Sequence, residues 1–191
     1  MTVIPVKLTT QIYKMNKSTL SKLVLEKYIN PYFIETGTQY GYATAIAIEL
    51  GFEKIISIEL DSKLQENNIN IFQNYISNGI VNLITGDSLT ELIKIIPIID
   101  KPCTFWLDAH VDKGPLGVKK CPLYEELDAI QSSSIKTHTI MIDDLRIIGN
   151  GGWGANVSLN SIKEKIISIN PNYKIVLEDG HVPNDILVAY I

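Results

Sequence analysis

The stretch Tyr32-Phe33-Ile34-Glu35-Thr36-Gly37-Thr38-Gln39-Tyr40-Gly41 decides how this chain is read. Tyr32 to Ile34 has the length and apolarity of a buried strand. Pro31 before it closes a preceding helix, because the residue ahead of a proline is biased away from helical dihedrals. The loop that follows runs acid-x-Gly-x-x-x-Gly, and Gly41 opens a largely apolar helix to Leu50 that Gly51 stops at the C′ position. Gly37 can take a positive φ and bring backbone close to a ligand, while Gly41 lets the helix begin close to the sheet. A dinucleotide fingerprint would put a further glycine where Thr38 and Gln39 stand, so the space suits a ligand without a pyrophosphate. The helix N-terminus can hold a carboxylate, and Glu35 supplies an acceptor for an ammonium.

On either side of this unit, apolar runs of strand length alternate with segments of helical period, the pattern of βα units around a mainly parallel sheet. A helix is expected over Ser18–Tyr28, with Leu20, Leu23, Val24 and Tyr28 on one face. Further strands are expected at Lys54–Glu59, Val81–Thr85, Thr104–Leu107 and Thr139–Ile142. Helices are expected at Ser62–Ser77, with Leu64, Ile71, Phe72, Tyr75 and Ile76 inward, at Ser88–Ile96, and at Leu123–Gln131 behind Pro122. Asn172–Leu177 and Asp185–Tyr190 read as two strands joined tightly around Asp179-Gly180, a hairpin that makes the last pair antiparallel. The expected fold class is α/β, a seven-stranded and mostly parallel sheet with helices on both faces and an antiparallel C-terminal hairpin strand. It forms one domain over residues 1–191, with residues 1–30 as an N-terminal helical cap segment.

Composition narrows the classes. At 191 residues, one domain is the expectation, and 46% hydrophobic with 20% charged residues is ordinary globular usage. Seventeen basic against 21 acidic residues give a net charge of −4, which disfavours a polyanion partner such as nucleic acid. Lys119-Lys120 is too short a run to change that. Cys103 and Cys121 are too few for a disulfide framework or a four-cysteine zinc site and read as packed thiols. No apolar run approaches the ~20 residues that span a bilayer, and the N-terminus lacks a signal-like apolar region, so a cytoplasmic protein is expected.

In an open α/β sheet, ligands sit outside the carboxyl ends of the strands. Each of the five parallel strands ends on an acid: Glu35, Glu59, Asp87, Asp108 and the pair Asp143-Asp144. A single such acid is as readily a solvated turn or a helix cap; five together point to a site. Glu59 follows Gly41 by 18 residues, matching the place where an acid takes the ribose hydroxyls of an adenosine ligand. Asp87-Ser88, on the adjacent strand end, can bond an adenine amino group, and Asp87 can cap the following helix as well.

These residues resemble the class I S-adenosylmethionine (SAM)-dependent methyltransferases over Pro31 to Ile191, a Rossmann-like fold. The resemblance implies SAM as cosubstrate, with Glu35 near the methionine amino group and Gly37, Thr38 and Gly41 along the methionine part. It further implies Glu59 on ribose, Asp87 with Ser88 at adenine, and Asp108 at the reacting end. Asp108, Asp143 and Asp144 would crowd three carboxylates at one pocket mouth, an arrangement that needs a cation. Oxygen-only ligation suits Mg²⁺. The pattern is similar to the macrocin-type, metal-dependent sugar O-methyltransferases, whose strand-four acid and consecutive acid pair hold Mg²⁺. The resemblance thus implies methylation of a hydroxyl on a sugar, glycan or other small molecule. Asp108-Ala109-His110 departs from the two acids around a glycine usual in that group. His110 occupies the place of the proposed base and Lys113 is the second choice, with Asp108 beside them. A cap or packing role for His110, and a solvated strand edge for the acids, are the plainer readings.

The segments 111–120, as a lid, and 149–154, presenting Trp153, are expected to build the acceptor pocket. Arg146 either holds an anionic acceptor or pairs with a neighbouring acid, and His138 and His181 read as structural. Residues 2–28 either cover the pocket or pair with another subunit in a homo-oligomer. The competing functions are a metal-independent methyltransferase acting on RNA, protein or an aromatic small molecule, and a non-catalytic domain binding SAM, S-adenosylhomocysteine (SAH) or NAD.

Overall fold

A computed structural model describes residues 19–110, 121–148 and 157–191. The expected lid, Lys113, Trp153 and residues 2–18 lie outside these. Among the described residues, one sheet carries seven strands: β1 (Tyr32–Thr36), β2 (Lys54–Glu59), β3 (Val81–Thr85), β4 (Cys103–Leu107), β5 (Thr139–Ile142), β6 (Lys174–Glu178) and β7 (Ile186–Tyr190). Their spatial order is β3-β2-β1-β4-β5-β7-β6. β7 runs antiparallel to both β5 and β6, and the other pairings are parallel. The order reverses between β1 and β4, which creates the crevice where open α/β sheets bind ligands.

Side-chain alternation along the strands builds two cores. Ile34, Ile56, Phe105, Leu107, Ile140 and Ile142 face α4 (Ser88–Ile95), α5 (Leu123–Ser132) and α6 (Leu159–Ile169). Phe33, Ile55, Trp106 and Met141 face α1 (Lys22–Leu25), α2 (Tyr42–Leu50) and, through Phe72, α3 (Ser62–Ser77). The period of two therefore sends Glu35 to the α2 side and Thr36 to the α5 side.

Three expectations change. The helix expected over 18–28 begins at Lys22, because Ser21 caps it by accepting from Val24 N, and tightens into a 3₁₀ turn over Glu26–Tyr28. Leu23 is 71% exposed rather than inward. On α3, Ile71 is exposed and the buried positions include Gln65 and Asn68. Beside Phe72, that face meets backbone carbonyls: Gln65 Nε2 donates to Ile84 O of β3 (2.9 Å) and Asn68 Nδ2 to Gln39 O of the glycine loop (3.0 Å). The sequence reading also assigned nothing to α6, whose start is fixed by a capping box between Ser158 and Ser161. Among the described residues, no helix is long and apolar enough to cross a membrane.

Candidate functional site

The glycine loop is folded by its own backbone. Gly37 has φ +83°, and a Cβ there would stand 2.4 Å from Asp108 O. The loop thus rests directly on the end of β4. Gly37 N and Thr38 N both donate to Ile58 O, at 2.8 and 3.2 Å, and Gln39 N donates to Glu59 Oε2 at 2.7 Å. Gln39 itself takes φ 49°. The close approach at Gly41 (φ +78°) is to the Phe72 ring of α3, not to the sheet as the sequence implied. Among the described residues no side chain caps the first turn of α2, and its Tyr42 and Ala43 line a cavity at the β1/β4 crevice.

Glu35 is buried on the wall of that cavity. Thr44 Oγ1 (2.6 Å) and Ser57 Oγ (2.5 Å) both donate to its Oε2, and Thr38 Oγ1 lies 2.6 Å from Ser57 Oγ. Burial pushes its carboxyl up to about 7 against the pull of those two hydroxyls, and the Glu59 charge adds to the rise.

The residues expected on the adenosine side gather at the ends of β2 and β3, where Gly86 N donates to Glu59 O at 2.9 Å. Glu59 Oε1 also accepts from Asp61 N (2.8 Å), so both its oxygens hold backbone, and Asp87 Oδ1 caps α4 by accepting from Leu89 N (3.0 Å). Ser88 is buried and bonds to Glu126 of α5, an acid the sequence reading missed. Glu126 also takes a side-chain hydrogen bond from Thr36, and burial raises it to about 7. Glu59, Asp87 and Ser88 do not line the cavity, which has a volume of about 220 Å³ and is bounded by Glu35, Gly37, Thr38, Asp108, Asp143 and Asp144 among others.

The acids after β4 and β5 do meet there. Asp108 N donates to Thr36 O (3.1 Å) and Asp143 N to Leu107 O (3.2 Å), which keeps both in step with the sheet. Burial, then the charges of Asp143 and Asp144, hold Asp108 well above the usual carboxylate range. Burial and Asp144 push Asp143 up to about 7, while Asp144 N (2.7 Å) and the Thr19 side chain hydrogen-bond to it. Asp144 has φ 60°, an uncommon conformation for a non-glycine residue. Burial lowers the His110 imidazole to about 4, and its Nε2 stands 3.7 Å from Asp108 Oδ1 and 3.6 Å from Asp144 Oδ2.

The three acids expected to share one ion divide between two overlapping groups. Among the described residues, ligand atoms of Asp108, His110 and Asp144 lie within 4.8 Å of one another, as do those of Asp143, Asp144 and Asp185. Asp185 escaped the sequence reading because only carboxyl ends of parallel strands were counted; β7 is antiparallel, so its start arrives at the same rim. Arg146, on the wall of the cavity, pairs through Nη1 with Asp144 Oδ1 (2.5 Å) and with Asp185 Oδ2, the acid-partner arrangement that was one of its two expected roles. His181, expected to be structural, lines the cavity. His138 is structural as expected: its Nδ1 accepts from Cys103 N (3.0 Å), which leaves Nε2–H to donate to Ser133 Oγ (2.9 Å). The set Asp108, His110 and Asp144 fits a divalent cation: two carboxylates and an imidazole converge there, and each carboxyl is raised first by burial and then by neighbouring like charge, which a cation would relieve.

No protein-family model matches the chain, and no curated protein matches it. Among solved structures, it is similar to an O-methyltransferase from Bacillus cereus in complex with SAH, at 16% identity and TM-score 0.64 over 99% of this chain and 93% of that one. An SAH-bound methyltransferase from Podospora anserina gives 13% identity and TM-score 0.63 over 98% and 88%. An O-methyltransferase from Streptomyces achromogenes, involved in tomaymycin synthesis and in complex with SAM, gives 10% and 0.63 over 100% and 92%. At these identities the likeness establishes architecture, and the chain has the α/β fold of these SAM- and SAH-bound methyltransferases.

Proposed function

We propose that this protein is a SAM-dependent O-methyltransferase that methylates a hydroxyl of a small molecule, a sugar or glycan in the first instance, with help from a divalent cation. The observation that carries the reading is the convergence of the glycine loop, Glu35, Asp108 and Asp144 on one cavity at the β1/β4 crevice, with His110 beside both aspartates, in a fold shared with SAM- and SAH-bound O-methyltransferases.

The first turn of α2 offers its N-terminus to the methionine carboxylate, and Glu35 offers the ammonium the oxygen that neither Thr44 nor Ser57 takes. Glu59 and Asp87 with Ser88 take ribose and adenine at the neighbouring strand ends. The sulfonium is already an activated donor, so the chain's main task is to align hydroxyl oxygen, methyl carbon and sulfur. The carboxylates of Asp108 and Asp144 would hold such a cation, whose charge would ease loss of the hydroxyl proton. The proton leaves to the polar wall these residues form or through it to solvent. A metal-independent enzyme is the second reading, favoured by the Arg146 guanidinium already seated on Asp144.

Labelled-methyl transfer from SAM to a panel of sugar and aromatic hydroxyls tests both. The first reading expects turnover that EDTA abolishes after metal stripping. It also expects Asp144→Ala to lose turnover while keeping SAH affinity. Full activity in EDTA selects the second reading, and no transfer with retained SAH binding selects a non-catalytic domain.

A further inference from the structure

We propose that His110 is a nitrogen ligand of the divalent cation, joining Asp108 and Asp144 in a site that favours a first-row transition ion such as Mn²⁺ over Mg²⁺. The inference rests on the metal-assisted reading above and replaces its oxygen-only ligand set. His110 Nε2 faces Asp108 Oδ1 at 3.7 Å and Asp144 Oδ2 at 3.6 Å. Both separations exceed hydrogen-bond length. They lie close to the spacing of about 3 to 3.5 Å between atoms bound to one cation at about 2.1 Å. The ring is therefore placed as a third corner of a cation site rather than as a hydrogen-bonded partner of either acid.

The overlapping group Asp143, Asp144 and Asp185 makes the choice of site sharper. Its acids are already served: Arg146 pairs with Asp144 Oδ1 and Asp185 Oδ2, Arg146 N (3.2 Å) donates to Asp185 Oδ1, and Asp144 N donates to Asp143 Oδ1. Because Arg146 holds Oδ1 of Asp144, it turns Oδ2 toward His110, as outer-shell partners orient metal ligands. On the other side, the missing Cβ of Gly37 lets the loop lie against Asp108 C and O and Ala109 Cα, which fixes the short backbone span carrying both Asp108 and His110. Mg²⁺ takes oxygen ligands and keeps several waters, whereas imidazole nitrogen suits transition ions. One imidazole among two carboxylates shifts preference accordingly.

The test uses the chelator-stripped full chain, titrated calorimetrically with Mn²⁺, Mg²⁺ and SAH, and pulsed EPR of its Mn²⁺ complex. The inference expects a hyperfine coupling to imidazole nitrogen and Mn²⁺ binding tighter than Mg²⁺ by about tenfold or more. His110→Ala is expected to lose the coupling and at least about tenfold in Mn²⁺ affinity, a scale that even outer-shell changes reach. His110→Asp is expected to lose the coupling and to narrow the Mn²⁺/Mg²⁺ ratio. A wild-type Mn²⁺ complex without nitrogen coupling overturns the inference. So does a coupling that survives in His110→Ala, which would assign it to His181 on the cavity that Asp108 and Asp144 line. Failure to bind either ion overturns this inference and the metal-assisted reading together. Nitrogen coupling without SAH binding upholds the ligand set and refutes only the methyl-transfer reading.

Discussion

Gly37 and Asp108 touch through their backbones, with room for no Cβ between them: the glycine loop after β1 is seated on the carbonyl at the end of β4. The loop expected to hold the donor and the acid expected to face the acceptor are thus one mechanical unit. Gly37→Ala forces a residue at φ +83° against backbone that cannot rotate away. Its cost is about 2–4 kcal/mol by urea unfolding, with a loss of SAH affinity of about tenfold or more. Gly51→Ala, also at positive φ but with open space around it, is expected to cost only about 1 kcal/mol and to leave SAH binding unchanged.

Buried acids make stability depend on pH. Glu35 and Glu126 are both pushed from about 4.5 up to about 7, so between those values the folded chain binds protons the unfolded chain has released. Stability is then highest below pH ~4.5 as far as these two groups are concerned, falls as pH rises to about 7, and is flat above it. The expected loss is on the order of a few kcal/mol. Urea midpoints at pH 5 and pH 8 measure it, and Glu35→Gln with Glu126→Gln should shrink the difference, leaving the part carried by Asp108 and Asp143.

Arg146 holds Asp185, which is fully buried. Arg146→Ala strands that carboxylate and is expected to cost about 3 kcal/mol, less than a wholly buried pair would because the arginine is partly exposed. Adding Asp185→Asn should return part of the loss, and an additive double mutant would contradict the pairing.

His138 and His110 separate structure from site. His138→Ala removes the acceptor for Cys103 N and the partner of Ser133, at a cost of about 2–4 kcal/mol, while SAH and Mn²⁺ affinities of the folded protein stay at wild-type values. A change in either affinity would place His138 in the working site.

Much of this was legible in the sequence for simple reasons. Parallel strands buried on both faces are continuous apolar runs, and Gly51, Pro31 and Pro122 punctuate them, so β1 to β5 and most helices could be read directly. Their terminal acids followed from the rule that ligands collect at carboxyl ends. What stayed hidden depends on pairing between distant segments. Asp185 joins the rim only because β7 pairs antiparallel with β5, Ile142 opposite Leu187. Glu126 is reached through Thr36 and Ser88, on elements separated from it in sequence. Gln65 and Asn68 are buried by bonds to carbonyls of Ile84 and Gln39, which a search for apolar periodicity passes over. His110 was visible as a departure from pattern, but its two carboxylate neighbours were not.

Under the proposed function, the crevice between β1 and β4 takes an adenosine ligand with an amino-acid tail and no pyrophosphate. Calorimetric titration of the full chain with SAH and, separately, with NAD tests it most directly. Saturable SAH binding is expected, weakened at least about tenfold by Glu59→Ala as two charge-assisted hydrogen bonds are lost, with no heat from NAD. NAD binding in preference to SAH, or SAH affinity indifferent to Glu59, would contradict it.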